Sequence, residues 1–168
     1  MQLQLSTWPE VAAYLETSTG ILLPVGSTEQ HGPTGPAGTD ALTAGAVARA
    51  AGDAGGILVG PTLPVGMSQH HMAFPGSMTL RPTTLMAVVR DCVESLAAHG
   101  FRHFLFVFTF QALQECAPVR LCAVEFQGHV RLPGDNPPNR ELSAEKRGKG
   151  EVCLKALQLQ HMFLIKPL

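Results

Sequence analysis

A chain of 168 residues is long enough for one domain with a sizeable core. A formal charge of -1 with 15% charged residues excludes the strongly basic profile of a nucleic-acid or membrane-surface binder. No apolar run approaches the ~20 residues that a membrane span requires.

Apolar residues make up 45% of the chain, which suggests that another copy covers part of the surface, as in a homo-oligomer. The four cysteines, at 92, 116, 122 and 153, form no CxxC pair. Met1-Gln2-Leu3-Gln4-Leu5 has neither the basic nor the long apolar region of a secretory leader. Reduced thiols and a cytoplasmic location are the expectation.

In chain order, Thr7-Trp8-Pro9-Glu10 predicts a helix start: Thr7 caps, Glu10 stands three residues on, and Pro9 falls in the first turn. Val11, Tyr14 and Leu15 continue this helix, which ends before Gly20, and Trp8 reads as a packing staple at its start. Residues 21–25 are a short apolar run of the kind that makes a buried strand. A loop follows, Gly26-Ser27-Thr28-Glu29-Gln30-His31-Gly32-Pro33, and Thr39-Asp40 opens an alanine-rich helix expected to stop at Gly52. In parallel α/β sheets ligands bind beyond the carboxyl ends of strands, so this strand–loop–helix crossing is a natural place for chemistry. Glu29 and His31 are two residues apart, which puts both on one face of an extended segment. Asp40 can return to the same spot from the helix start. Two carboxylates and an imidazole suit zinc, manganese or iron.

Residues 56–60 form a second apolar strand run. Then comes a long loop containing Gln69-His70-His71-Met72-Ala73-Phe74-Pro75-Gly76-Ser77, a setting that often carries function. Pro82 suits a first helical position. Leu85, Val88, Val89, Cys92, Val93 and Leu96 then recur at helical spacing up to Gly100. Cys92 on that stripe reads as a small core residue rather than a nucleophile. Residues 104–108 are a strongly apolar strand, whose phenylalanines would favour aggregation if left uncovered. Helices alternating with strands predict an α/β fold, a mainly parallel sheet flanked by helices in three layers.

The run PVGSTEQHGP followed by Gly38-Thr39-Asp40 resembles the creatininase family of metal-dependent amidohydrolases. The resemblance covers about residues 5–107 and implies that Glu29, His31 and Asp40 are ligands of a two-metal centre of Zn, Mn or Fe ions. Members carry a histidine three residues before an FPG turn, which is His71 here. We read His71 as a catalytic-pocket residue rather than a metal ligand, because no acid is near it in sequence; His70 has no match and should face solvent. The resemblance implies hydrolysis of a C–N bond in a small molecule by a metal-activated water. Members open a cyclic amide, remove a formyl group from a pyrimidine precursor, or cleave a peptide in cofactor maturation.

Beyond that point the chain departs from the family. There the strand matched by residues 104–107 leads into an Asn-Gly-His motif that completes the metal centre. This chain reads Phe108-Thr109-Phe110-Gln111-Ala112-Leu113-Gln114-Glu115, with no histidine. Residues 1–110 thus form the creatininase-like, metal-binding half, and 111–168 a divergent, partly irregular and shortened remainder. Pro- and Gly-rich stretches at 133–140 and 145–150 read as loop or tail. Glu125 and His129, four apart, are weak candidates for replacement ligands. Two alternatives to an active hydrolase stand: a catalytically incomplete member serving as a subunit, and a small-molecule binding module built on the loop around His70 and Ser77.

Overall fold

The computed structural model describes residues 1–108 and, as backbone, the strand Cys153–Gln158. Glu125, His129 and the loops expected at 133–140 and 145–150 lie outside the described residues.

Helix α1 spans Trp8–Leu15. The Glu10 carboxylate accepts both the Thr7 backbone N–H and the Thr7 hydroxyl at 2.7 Å, satisfying donors that the first turn leaves over. These two bonds hold the Glu10 carboxyl below its usual range. Strand β1, Gly20–Val25, follows; then helix α2, Thr39–Gly55; the short strand β2, Leu58–Val59; helix α3, Pro82–Ala98; strand β3, His103–Phe108; and strand β4, Cys153–Gln158. The sheet order is β2-β1-β3-β4 and every pairing is parallel, with β1 and β3 in register from Gly20 opposite His103 to Val25 opposite Phe108.

Alternation along the strands divides the core into two faces. Ile21, Leu23, Val25, Leu58, Phe104, Phe106 and Phe108 face α3, through its buried Leu85, Val89, Val93 and Ala97, with Val11, Tyr14 and Leu15 of α1 packed alongside. Leu22, Val59 and Val107 face the opposite way, onto Ala48 of α2. The helices therefore lie on both sides of a parallel sheet, which is the three-layer α/β arrangement expected. The three phenylalanines of β3 are at most 1% exposed, and each contributes about 1.5–3 kcal/mol of burial. Strand β3 is flanked by β1 and β4, so it is an interior strand rather than an uncovered one.

Two local expectations need correction. Helix α2 continues a turn past Gly52 and ends at Gly56, which adopts the left-handed φ of +64°. Gly52 instead lies inside the helix, where a Cβ would strike Val59; the glycine is there for close helix–strand packing. Trp8 is 82% exposed and so is not a packing staple among the described residues. Within the remainder read as divergent and partly irregular, residues 153–158 form β4. Cys92 is half-buried on α3, and burial, with Asp91 adding to it, pushes its thiol above the usual range, as suits a packing residue.

Candidate metal centre

The site forms where β1 ends. Val25 hands over to a loop whose closure is set by its own backbone: Glu29 N–H donates to Ala37 C=O at 2.8 Å, and His31 bridges to Gly35. The N-terminus of α2 then comes back against the start of the loop at Gly26. A Cβ on Gly26 would lie 2.5 Å from the Ala41 nitrogen and 2.6 Å from the Asp40 carbonyl carbon, so only glycine allows this approach. We expect Gly26→Ala to push α2 off the loop, costing about 1–3 kcal/mol in urea unfolding. The same shift should weaken metal binding, because Asp40 sits at the contact.

Glu29, His31 and Asp40 are brought together. One potential ligand atom from each lies within 4.8 Å of the others, and Glu29 and Asp40 are buried. Two bonds of ~2.0–2.2 Å to one ion would span up to ~4.4 Å, so a few tenths of an ångström of closure suffice. His31 Nδ1 is 3.0 Å from the Glu29 backbone oxygen, which can only accept, so Nδ1 carries the hydrogen of the neutral ring. Its Nε2 is then a lone pair, 3.5 Å from Asp40 Oδ1. In the neutral ring the two atoms offer lone pairs toward one point, where a cation would suit both. Glu29 makes the same point: it is 1% exposed, and neither carboxylate oxygen has a hydrogen-bond partner among the described residues. A buried carboxylate so placed costs several kcal/mol unless a positive charge is near. The donor set therefore fits a divalent cation.

The long loop after β2 is laid across this one. Thr28 Oγ1 donates to Pro64 C=O at 2.8 Å, Met78 N–H donates to Thr28 C=O at 2.9 Å, and Gln30 N–H donates to Ser77 Oγ at 3.2 Å. Residues Gln69–His71 form one turn of 3-10 helix within it. This places His71 Nε2 3.6 Å from Glu29 Oε1, with its side chain 11% exposed. The acid missing near His71 in sequence is thus supplied across the fold by Glu29. His70 is exposed, and its ring lies 3.9 Å, centroid to centroid, from that of His71. Gln30 and Ser77 were not legible as site residues; Gln30's place between Glu29 and His31 was the only signal.

A family model described as Creatininase: Creatinine amidohydrolase matches residues 4–119, somewhat further than the resemblance read from motifs. The creatinine amidohydrolase of Pseudomonas putida is 34% identical over 105 residues, which take in 59% of this chain and 40% of that protein. The mycofactocin precursor peptide peptidase of Mycobacterium ulcerans (strain Agy99) is 34% identical over 106 residues, 58% of this chain and 38% of that protein. The chain spans about two fifths of the length of these curated relatives. The crystal structure of a creatinine amidohydrolase (creatininase) superposes with a TM-score of 0.70 at 24% identity, over 94% of this chain and 57% of that one. A manganese form, a Zn–Zn-type variant and a variant complexed with creatine give TM-scores of 0.69 or 0.70 at 24 or 25% identity and the same coverage.

Proposed function

The chain belongs to the creatininase family, and from that premise we propose that Glu29, His31 and Asp40 hold a divalent cation in the metal-binding half of an amidohydrolase site. The observation that carries this reading is the buried Glu29 carboxylate beside the His31–Asp40 pair, with no hydrogen-bond donor among the described residues. A divalent ion bound there supplies Lewis acidity, lowering the pKa of a water and polarising an amide carbonyl. Glu29 and Asp40 offset its charge, and Asp40, in the first turn of α2, sits where the helix dipole favours a carboxylate. His31 presents Nε2 because its other nitrogen is tied to the Glu29 carbonyl. The substrate class is a small molecule with a hydrolysable C–N bond, a cyclic amide or a formamide. A relative named for creatinine and a variant complexed with creatine support that class, while the relative named for a precursor peptide shares with it only hydrolysis of a C–N bond.

A second reading has its own observation. Phe108 ends β3 directly beside Val25, which leads into the metal loop. In sequence, the stretch that follows Phe108 carries no histidine or acid before Glu115. This favours a catalytically incomplete member that binds one ion. Metal analysis of the purified chain separates the readings: about one ion per chain, removed by chelator, is the expected result. Two ions would overturn the incomplete reading. None, after Zn2+ is offered, would overturn the metal reading and leave a binding module.

A further inference from the structure

We infer that Gln30 is a positioning residue that fixes the tautomer of His71, so that His71 turns an N–H donor rather than a ligand lone pair toward Glu29. The chain of reasoning begins at a backbone group that can only donate. Gly32 N–H lies 2.9 Å from Gln30 Oε1, so the amide oxygen must face it, and this settles the orientation of the amide. The Gln30 Nε2 group then faces His71 Nδ1 at 2.9 Å. An amide nitrogen only donates, so Nδ1 is the acceptor, and the ring hydrogen of the neutral imidazole sits on Nε2. That N–H points at Glu29 Oε1 across 3.6 Å, an electrostatic contact rather than a hydrogen bond.

One loop thus does two things with three successive residues. Glu29 and His31 face the cluster, while Gln30 reaches to the crossing loop and sets His71 from behind. His71 Nε2 is buried and lacks a hydrogen-bond partner among the described residues, as do both Glu29 oxygens. It is oriented toward Glu29, a group that must be held still for a cation. Partners of this kind, acting one step behind a metal ligand, are worth about 10–100-fold in metal affinity when removed. The metal consequence rests on the proposed function; the tautomer does not.

The test uses the 15N-labelled 168-residue chain and long-range proton–nitrogen correlation of the imidazoles, before and after dialysis against chelator. The expected wild-type pattern is His71 bearing hydrogen on Nε2. Gln30→Glu keeps an acceptor for Gly32 N–H and offers Nδ1 a second one, so the hydrogen should move to Nδ1. Separately, competition titration with Zn2+ should show His71→Phe binding about tenfold more weakly than wild type. A wild-type His71 with hydrogen on Nδ1, or a tautomer unmoved in folded Gln30→Glu, would overturn the assignment. Unchanged Zn2+ affinity in His71→Phe would overturn the orienting role. If wild-type chain takes up no Zn2+ at all, the proposed function fails while the tautomer measurement still decides the role of Gln30.

Discussion

Glu29→Gln is expected to lower affinity for Zn2+ by more than ~100-fold while making the metal-free chain more resistant to heat. Both effects have one source. In the metal-free chain Glu29 is a carboxyl group at 1% exposure whose oxygens accept no hydrogen bond from the described residues, the kind of buried charge that opposes folding. An amide of the same shape removes the charge and recovers about 1–3 kcal/mol of desolvation cost. It also removes a ligand and a negative charge from the cluster with His31 and Asp40, so the cation is lost. The wild type should gain about 2.7 kcal/mol of stability when Zn2+ is present at 100 times its dissociation constant, and Glu29→Gln almost none. Thermal melts in chelator and in Zn2+ would show the two curves crossing. A variant less stable than wild type in chelator, or one that still binds Zn2+ tightly, would count against the cluster as a metal site.

Replacing residues 109–114 with an Asn-Gly-His type of segment should raise bound Zn2+ from at most one ion per chain to two. Hydrolysis of creatinine should rise by at least about 100-fold, the low end of what a positioned catalytic group contributes. The graft begins after Phe108, because Phe108 is fully buried and stacks on Phe106, 6.1 Å between ring centroids, in the α3-facing core. Its backbone lies opposite Val25, the last residue of β1 before the loop that carries Glu29 and His31. A centre of two ions needs ligands from both sides, with a position left for water. If the unaltered chain held two tight ions and hydrolysed amides briskly, the missing ligands would lie elsewhere, with Glu125 and His129 the first to test.

Much of this was legible before any coordinates. The parallel sheet followed from apolar runs alternating with helical stripes, and the grouping of Glu29, His31 and Asp40 followed from their spacing together with the resemblance of their motif to the creatininase family. What the sequence hid was contact across the fold. Gly52 looked like a stop because glycine usually is one, but Val59 packs against it, and Gly56 ends the helix. His71 looked isolated from acids because Glu29 is distant along the chain and adjacent only once the loops cross. Gln30 carried no pattern of its own; its hydrogen bonds to His71 and Gly32 exist only in three dimensions. Strand β4 lay in a stretch whose neighbours are rich in charge and glycine, and its apolar positions, Leu154, Ala156 and Leu157, were too few to stand out.

The order of the sheet also governs the time course of folding. The central pairing joins Gly20–Val25 to His103–Phe108, strands with α2, β2 and α3 between them in the chain. Such distant partners must meet before their pairing returns any free energy, so parallel sheets of this kind form slowly compared with helical bundles. Until β3 arrives, β1 has only the two-residue β2 beside it, with Ile21 aligned to Leu58 and Leu22 to Val59. The metal loop therefore hangs from a strand whose main pairing partner, β3, lies far along the chain. Metal added during refolding should find its ligands only late, after β1 and β3 have paired.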